Sequence, residues 1–522
     1  MTAQTNSVGI PVLQGGEAVK SRVVTFGFDD HLYSGGQRVP VSWDEQFALN
    51  GHMLVAGKSG TGKTFTLRRI ISQLVRDIDG RGRPRVHAFD VHDDIVFDGE
   101  SRVVFSESSP YGINPLRLSA DPNYGGVRRC VEEFVEMMIE SGAGLGPRQA
   151  PALKHVLYDL FAERGFLLTD PSTWRVDEAE ASVRPDERGR IFLDVPYEDR
   201  ERAKAAAKIA GVTLQWSTDD RAWWCNAYRG GLLQWSPRVT GRRPPTVDDL
   251  FRLLQSRVRR MHVGGSGRCV ANLAEHNKKV QAWNKLCQKL ARTGQGAQEA
   301  EALKEEINHD AMALIETFSQ YVLSIESGHE FQEFLHFESV ETLRSLVDRV
   351  STLVSAGVFR NVPPPFDEAS PIWAYGIAPL RTAEQRLFVW TRLQHIFEAA
   401  KERGIVDGAS EVREVIVLDE AHKFFAPKET NILDIIAREG RKFGIALIAA
   451  SQAPAHFSED FLGTVGTKIL LGLDPQYHDA MVRKMGVERD LLTRLVAGKV
   501  AAVQVADKRD MRHVFVRTRV GN

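Results

Sequence analysis

Eight residues near the start of the chain, Gly57-Lys58-Ser59-Gly60-Thr61-Gly62-Lys63-Thr64, have the types and spacing of a phosphate cradle, G-x-x-x-x-G-K-[ST]. Glycines let successive backbone N–H groups curl toward an anion, and a helix opening directly after the loop adds its positive end. Lys63 suits the β- and γ-phosphates, and the Thr64 hydroxyl suits Mg²⁺. The expected nucleotide-binding set is Gly57, Ser59, Gly60, Thr61, Gly62, Lys63, Thr64 and Phe65. A second cluster lies far along the chain. Val415-Ile416-Val417-Leu418 is an apolar run that delivers Asp419 and Glu420. Asp419 is placed to hold magnesium, and Glu420 to orient and deprotonate an attacking water. Phosphoryl transfer is won by positioning and charge stabilisation, so the two clusters together point to hydrolysis of ATP with Mg²⁺.

Strands must deliver both clusters to one place. Met53-Leu54-Val55-Ala56 reads as a buried strand before the loop, and Phe65 to Val75 as the helix after it. Val86-His87-Ala88-Phe89-Asp90 is a second strand ending in acid, followed by Val91-His92-Asp93-Asp94. At the carboxyl edge of a parallel sheet those acids either approach the nucleotide or form a solvated loop. A strand at Ile372–Ile377 and a long helix from Thr382 to Arg403 precede the acidic strand. Beyond it come a helix at Ile432–Ile436, the loop Ala437-Arg438-Glu439-Gly440-Arg441-Lys442-Phe443-Gly444, and a strand at Ile445–Ala450 that leads to Ser451-Gln452. A polar amide ending a strand beside the acidic strand is a candidate γ-phosphate sensor, or else a strand cap; Gln452 is that residue.

Composition sets the bounds. With 522 residues there is room for about three domain-sized units. A hydrophobic content of 43% and a charged content of 26% suit a globular protein with a real core. The net charge of −1 gives no global pull toward nucleic acid, so any such binding must be local. Cys130, Cys225, Cys269 and Cys287 show no C-x-x-C spacing, which argues against a zinc site or a disulfide framework. No signal pattern and no membrane-length apolar run are present, so the expected location is cytoplasmic, with no transmembrane segment.

Three stretches depart from the core pattern. Between about Trp174 and Pro237, a strand at Arg190–Tyr197, a helix at Asp199–Ala210 and the tryptophans Trp216, Trp223 and Trp224 read as a small α+β module. Its aromatics, with Tyr228, either stack bases or form its core. From Thr246 to Tyr321 the chain reads as charged helix, with ten bases and only Glu275 as an acid between Arg252 and Arg292. That excess is either a nucleic-acid footprint or a solvated helix face. The final stretch alternates as strands do, Lys499–Val505 and Arg512–Val520. Lys508, Arg509, Arg512, Arg517 and Arg519 make it basic, for contact with DNA or a subunit or as a charged edge.

The runs V-L-D-E-A-H-K-F (Val417–Phe424) and A-R-E-G-R-K-F-G-I-A-L-I-A-A-S-Q (Ala437–Gln452), taken with the phosphate loop, resemble the HerA/FtsK superfamily of ring-forming motor ATPases. They are closest to HerA-type helicases and to ATPases of conjugative type IV secretion. Gly112-Ile113-Asn114-Pro115-Leu116 leans toward the conjugative branch. The resemblance covers about 50–130 and 340–519. It implies an α/β fold: a RecA-like P-loop NTPase core with a parallel-rich sheet, carrying an inserted helical domain and the small α+β module. It further implies a homohexamer acting on DNA or protein. Lys63, Glu420, Arg441 and Gln452 are the implied catalytic set, and Thr64 and Asp419 the metal ligands. Arg441 matches the family's trans-acting arginine finger by position, with Arg438 as runner-up. The expected output is DNA translocation or unwinding. The alternatives are a secretion or conjugation ATPase, or a hexameric scaffold for a partner nuclease or effector in antiphage defence.

The expected division is a short N-terminal segment (1–45), a first core segment with the phosphate loop (46–130), helices (131–173), the module (174–237), a basic helical insert (238–340), a second core segment with the acidic strand (341–498) and a C-terminal hairpin (499–522). The N-terminal segment is shorter than the domains that HerA or conjugative ATPases carry there. The module resembles a small domain of unknown role appended to plasmid primases.

Overall fold

A computed structural model of the chain describes residues 21–77, 82–175, 188–193, 195, 199–218, 222–235, 243–263, 267–293, 297–323, 340–406, 411–425, 431–452, 457–510 and 513–520. It divides into two compact units, one of residues 1–104, 366–378 and 393–522, the other of 105–365 and 379–392.

The strands, in chain order, are β1 (Val23–Asp29), β2 (Pro40–Asp44), β3 (Met53–Gly57), β4 (Arg85–Asp90), β5 (Glu100–Val104), β6 (Ile191–Leu193), β7 (Leu214–Ser217), β8 (Ala222–Cys225), β9 (Ile372–Gly376), β10 (Glu414–Leu418), β11 (Ile445–Ser451), β12 (Thr467–Gly472), β13 (Val500–Val505) and β14 (Val516–Arg519). The first unit is built on an 11-stranded sheet, ordered β2-β1-β14-β13-β12-β3-β11-β10-β4-β9-β5. From β12 to β5 neighbours run parallel, and from β12 outward to β2 they run antiparallel. β3, β10 and β11 are buried at every position, as a sheet covered on both faces requires. The helix Lys63–Leu74 buries Leu67, Ile70, Ile71 and Leu74, one stripe at helical spacing. This is the α/β, parallel-rich architecture that the motifs imply.

The segment before the phosphate loop, expected as a short N-terminal segment, is part of the sheet. It supplies two strands, and Val24, Phe26 and Trp43 enter the same core as Met53 and Val55. The second, β2, is a short edge strand that begins with proline, which reads as a turn because proline is confined to such edges. β14 is also shorter than its sequence pattern, and its charges are committed. Arg517 and Arg519 pair with buried Asp30 at 2.7 and 2.9 Å, and Arg509 pairs with Asp507 while stacking on Phe47. Arg512 lies outside the described residues.

The second unit is mainly helical. Gln149–Glu163, Val247–Val263 and Val340–Ser355 pack through Leu153, Leu157, Leu250, Leu254, Leu346 and Val350, all buried. Here the basic run loses one of its members: Arg257 is buried and donates to Asp159 at 2.7 Å, so it holds two helices together. Two long helices, Gly267–Thr293 and Ala297–Leu323, lie against each other, with Lys279 paired to Asp310 at 2.7 Å. Lys278, Lys285, Lys289 and Arg292 are at least partly exposed, and the side chains of Arg259, Arg260 and Arg268 lie outside the described residues. β6, β7 and β8 form a separate antiparallel sheet beside the helix Arg200–Ala210.

β1 passes so close to β14 that a Cβ on Gly27 would sit 2.1 Å from the Arg519 carbonyl oxygen. Gly27→Val should therefore cost about 1–3 kcal/mol of stability, as overpacking does. Urea unfolding followed by tryptophan fluorescence should show a lower midpoint with an unchanged slope.

Candidate active site

The loop after β3 is shaped by its own backbone. Gly60 and Gly62 have φ of +78° and +99°, which glycine adopts without strain. The Lys58 N–H donates to the Gly472 carbonyl at the end of β12, and the Thr61 hydroxyl donates to the Lys58 carbonyl at 2.7 Å. A Cβ on Gly57 would meet that hydroxyl oxygen at 2.4 Å, so this position also requires glycine. Gly62 caps the Lys63–Leu74 helix with no side-chain bond to its first turn. The first N–H groups of that helix are thus open to an anion, which is the fit a phosphate needs. Phe65 is 65% exposed, and with Thr61, Gly62, Arg69, Leu471 and Val520 it lines a shallow recess beside the loop.

Two strands away, β10 delivers Asp419 and Glu420, both buried. Burial, then the adjacent Glu420 carboxylate, pushes the Asp419 carboxyl up to about 6; Asp94 adds to the push and Lys63 opposes it. Crowded hard-oxygen donors facing a lysine, with the Thr64 hydroxyl at the helix start, suit Mg²⁺ and gain from its charge. Glu420 sits in the left-handed region, with φ +46° and ψ +44°. Its carboxylate is held from two sides. The Gln452 amide donates to one oxygen, and His422 Nδ1 lies 3.4 Å from the other and 3.1 Å from the Ser451 hydroxyl.

The structure thus gathers Lys63, Thr64, Asp419, Glu420 and Gln452 at the carboxyl edge of one sheet. It also divides the acids after β4. Asp90 accepts the N–H groups of His92, Asp93 and Ile95 and a double contact from Arg102, so it shapes the turn. Asp94 lies in the field of Asp419. His422 and Ser451 are site residues that sequence reasoning did not assign. The only signal for His422 was its place two residues after Glu420.

Arg441 is elsewhere. Its turn, Gly440–Phe443, precedes the amino end of β11, whereas Gln452 follows the carboxyl end. Seven residues of strand separate the two edges by roughly 20 Å. Arg438 closes the helix Ile432–Glu439 on the same amino side. Beneath this turn His52 is fully buried, and its Nδ1 accepts the Leu447 N–H at 3.0 Å.

Among the described residues no helix is long and apolar enough to cross a membrane. The family model for the central domain of helicase HerA matches residues 31–164. The DNA double-strand break repair helicase HerA of Pyrococcus furiosus is 37% identical over 98 residues, 17% of this chain and 18% of that protein. Its namesake from Sulfolobus acidocaldarius is 39% identical over 85 residues, 15% of this chain and 17% of that protein. The chain therefore matches less than a fifth of the length of these relatives. VirB4 of Thermoanaerobacter pseudethanolicus shares the fold, with a TM-score of 0.51 over 96% of both chains at 13% identity. Family match, relatives and fold agree with the motif resemblance: residues 31–164 are similar to the central domain of helicase HerA, and the chain has the fold of VirB4.

Burial, then the nearby Arg441 charge, lowers the His52 pKa from 6.5 to about 4. The folded value lies below the unfolded one, so stability from the neutral ring is complete above about pH 6.5 and is lost as pH falls toward about 4. Between pH 7 and pH 5 the wild type should lose about 2 kcal/mol more than His52→Gln. Parallel urea titrations of both proteins check this, and equal losses would refute it.

Proposed function

We propose that this chain hydrolyses ATP with Mg²⁺ at the subunit interfaces of a homohexameric ring and uses the cycle to translocate on or unwind DNA. The observation that carries the hydrolytic reading is the convergence of Lys63, Thr64, Asp419, Glu420 and Gln452 on one sheet edge. The loop and the helix start hold the phosphates, and Lys63 supplies their nearest fixed positive charge. Thr64 and Asp419 hold Mg²⁺, which when bound neutralises charge on the phosphate oxygens. Phe65, exposed beside the loop, covers the base or ribose. Glu420 takes a proton from the attacking water, and Gln452 and His422 fix the direction of its carboxylate. The DNA reading rests on the helicase activity named for the HerA relatives.

Arg441 sits on the edge opposite its own phosphate loop, so we assign it to the nucleotide of the next subunit. A second reading, a conjugation or secretion ATPase that energises transfer without tracking on DNA, is favoured by the VirB4 likeness, which extends over nearly the whole chain.

ATPase rates of a size-verified oligomer, with and without single- and double-stranded DNA, separate the two. Stimulation several-fold by either DNA supports the motor on DNA, and no stimulation favours the transfer reading.

Lys63→Ala should lose ATP affinity, because the charge facing the phosphates disappears. Glu420→Gln should bind ATP nearly as the wild type does and leave it unhydrolysed. Equilibrium binding of labelled ATP decides, and equal loss in both variants would contradict the separate roles.

Arg441→Ala should bind ATP and assemble, yet hydrolyse about 10³–10⁵ times more slowly, as loss of such a finger does. Rings mixing Arg441→Ala with Lys63→Ala subunits should regain some hydrolysis, since an intact loop can then face an intact arginine. Full activity of the Arg441→Ala homo-oligomer would move the assignment to Arg438.

A further inference from the structure

The small module makes its core without most of its large aromatics. Leu193, Ala203, Ala207, Cys225, Leu232 and Trp235 fill the space between its sheet and its helix. Phe192, Trp216, Trp223 and Trp224 remain outside that cluster, in two cross-strand pairs. Phe192 opposes Trp224 on one face of the sheet, and Trp216 opposes Trp223 on the other. The first pair is capped by the module itself, with the Arg190 guanidinium 4.9 Å from the Phe192 ring and 6.0 Å from Trp224.

The second pair shares the face that bears the helix but lies at its margin. Trp216 is 49% exposed and stands nearly edge-on to Trp223, with ring centroids 5.6 Å apart and planes at 67°. The Lys204 ammonium lies 5.7 Å over Trp223. Lys204 belongs to the helix Arg200–Ala210, where Arg200, Arg202, Lys204 and Lys208 outnumber Glu201 and the capping Asp199, which lies 3.9 Å from Arg202. The Lys204–Glu201 pair at 2.9 Å is exposed, so it contributes little and yields readily to a competing anion. Thr218, two residues beyond Trp216, is exposed, whereas Gln215 lies across from Trp224 on the other face. One exposed, rigid indole whose partner ring carries an ammonium suits a planar ligand that bears negative charge.

We propose that Trp216, propped by Trp223 and flanked by Lys204, is a binding point for single-stranded nucleic acid. A base stacks on the exposed indole and the adjoining phosphate pairs with the Lys204 ammonium. Duplex is disfavoured because its base faces are covered. The proposal does not depend on the motor reading, since it concerns a different unit and no step of ATP hydrolysis.

The test uses the full chain and a fluorescein-labelled thymidine 20-mer. Trp216→Ala should weaken binding about 5- to 100-fold, the range for losing one stacked base, while Trp216→Phe keeps most of the affinity. Lys204→Ala should flatten the salt dependence by about 0.7 in log–log slope, the value for one phosphate on a single strand. Photo-crosslinking to a 5-iododeoxyuridine strand should place an adduct on the peptide holding Trp216 or Trp223. The adduct map and the phenylalanine variant keep the test decisive if the alanine variant misfolds. Adducts confined to other peptides would overturn the proposal and assign any affinity to another surface. So would binding of the duplex as tight as that of the single strand, or no binding of the single strand at all.

Discussion

Everything at the candidate site depends on the parallel register of three strands. Val55 pairs with Ala450 and Leu418 with Ala449, so β3, β11 and β10 end almost level. Lys63 and Thr64 then follow β3, Asp419 and Glu420 follow β10, and Gln452 follows β11. A slip of one residue on β10 would exchange the two faces of the strand and turn Leu418 and Asp419 about. The continuous burial of these strands makes that slip costly. The precision of a phosphate cradle thus comes from hydrophobic packing several residues away. The antiparallel strands extend this sheet rather than forming a separate body, and β12 ties directly to the loop through the bond from Lys58 to Gly472.

The core was legible because its signals are local or periodic. A phosphate loop is legible because its glycines, lysine and threonine stand at fixed spacing between an apolar strand and a helix. The buried strands announce themselves by unbroken apolar runs. The boundaries that shifted did so where tertiary contacts overrode pattern. β2 is a strand because β1 offers it an edge, and nothing in Pro40–Asp44 says so alone. Arg257 read as a surface base among many, yet Asp159, distant in sequence, draws it into a helix interface.

The site was only partly legible, for the same reason. Lys63, Asp419 and Glu420 follow from spacing within one motif each. His422, just past β10, lies against Glu420 and meets the Ser451 hydroxyl at the end of β11, a meeting visible only once the sheet order is known. The acids after β4 illustrate the limit well. Composition cannot tell Asp90, spent on its own turn, from Asp94, which acts on Asp419 through space. The module's tryptophans show the opposite failure. Size and hydrophobicity argue for a core, but small residues and Trp235 already fill it.

The backbone of Glu420, the base in the proposed reaction, is held in the left-handed region. An L-residue at φ +46° is strained by roughly 1–2 kcal/mol, and glycine or asparagine would relieve it. The backbone would accordingly be relaxed by glycine or asparagine at this position, at the expense of the carboxylate. If Glu420 is the base proposed above, selection for robustness alone would erode this position, and stability and turnover pull in opposite directions at a single residue. Stabilised variants drawn from a random library should be expected to include inactive ones that changed here.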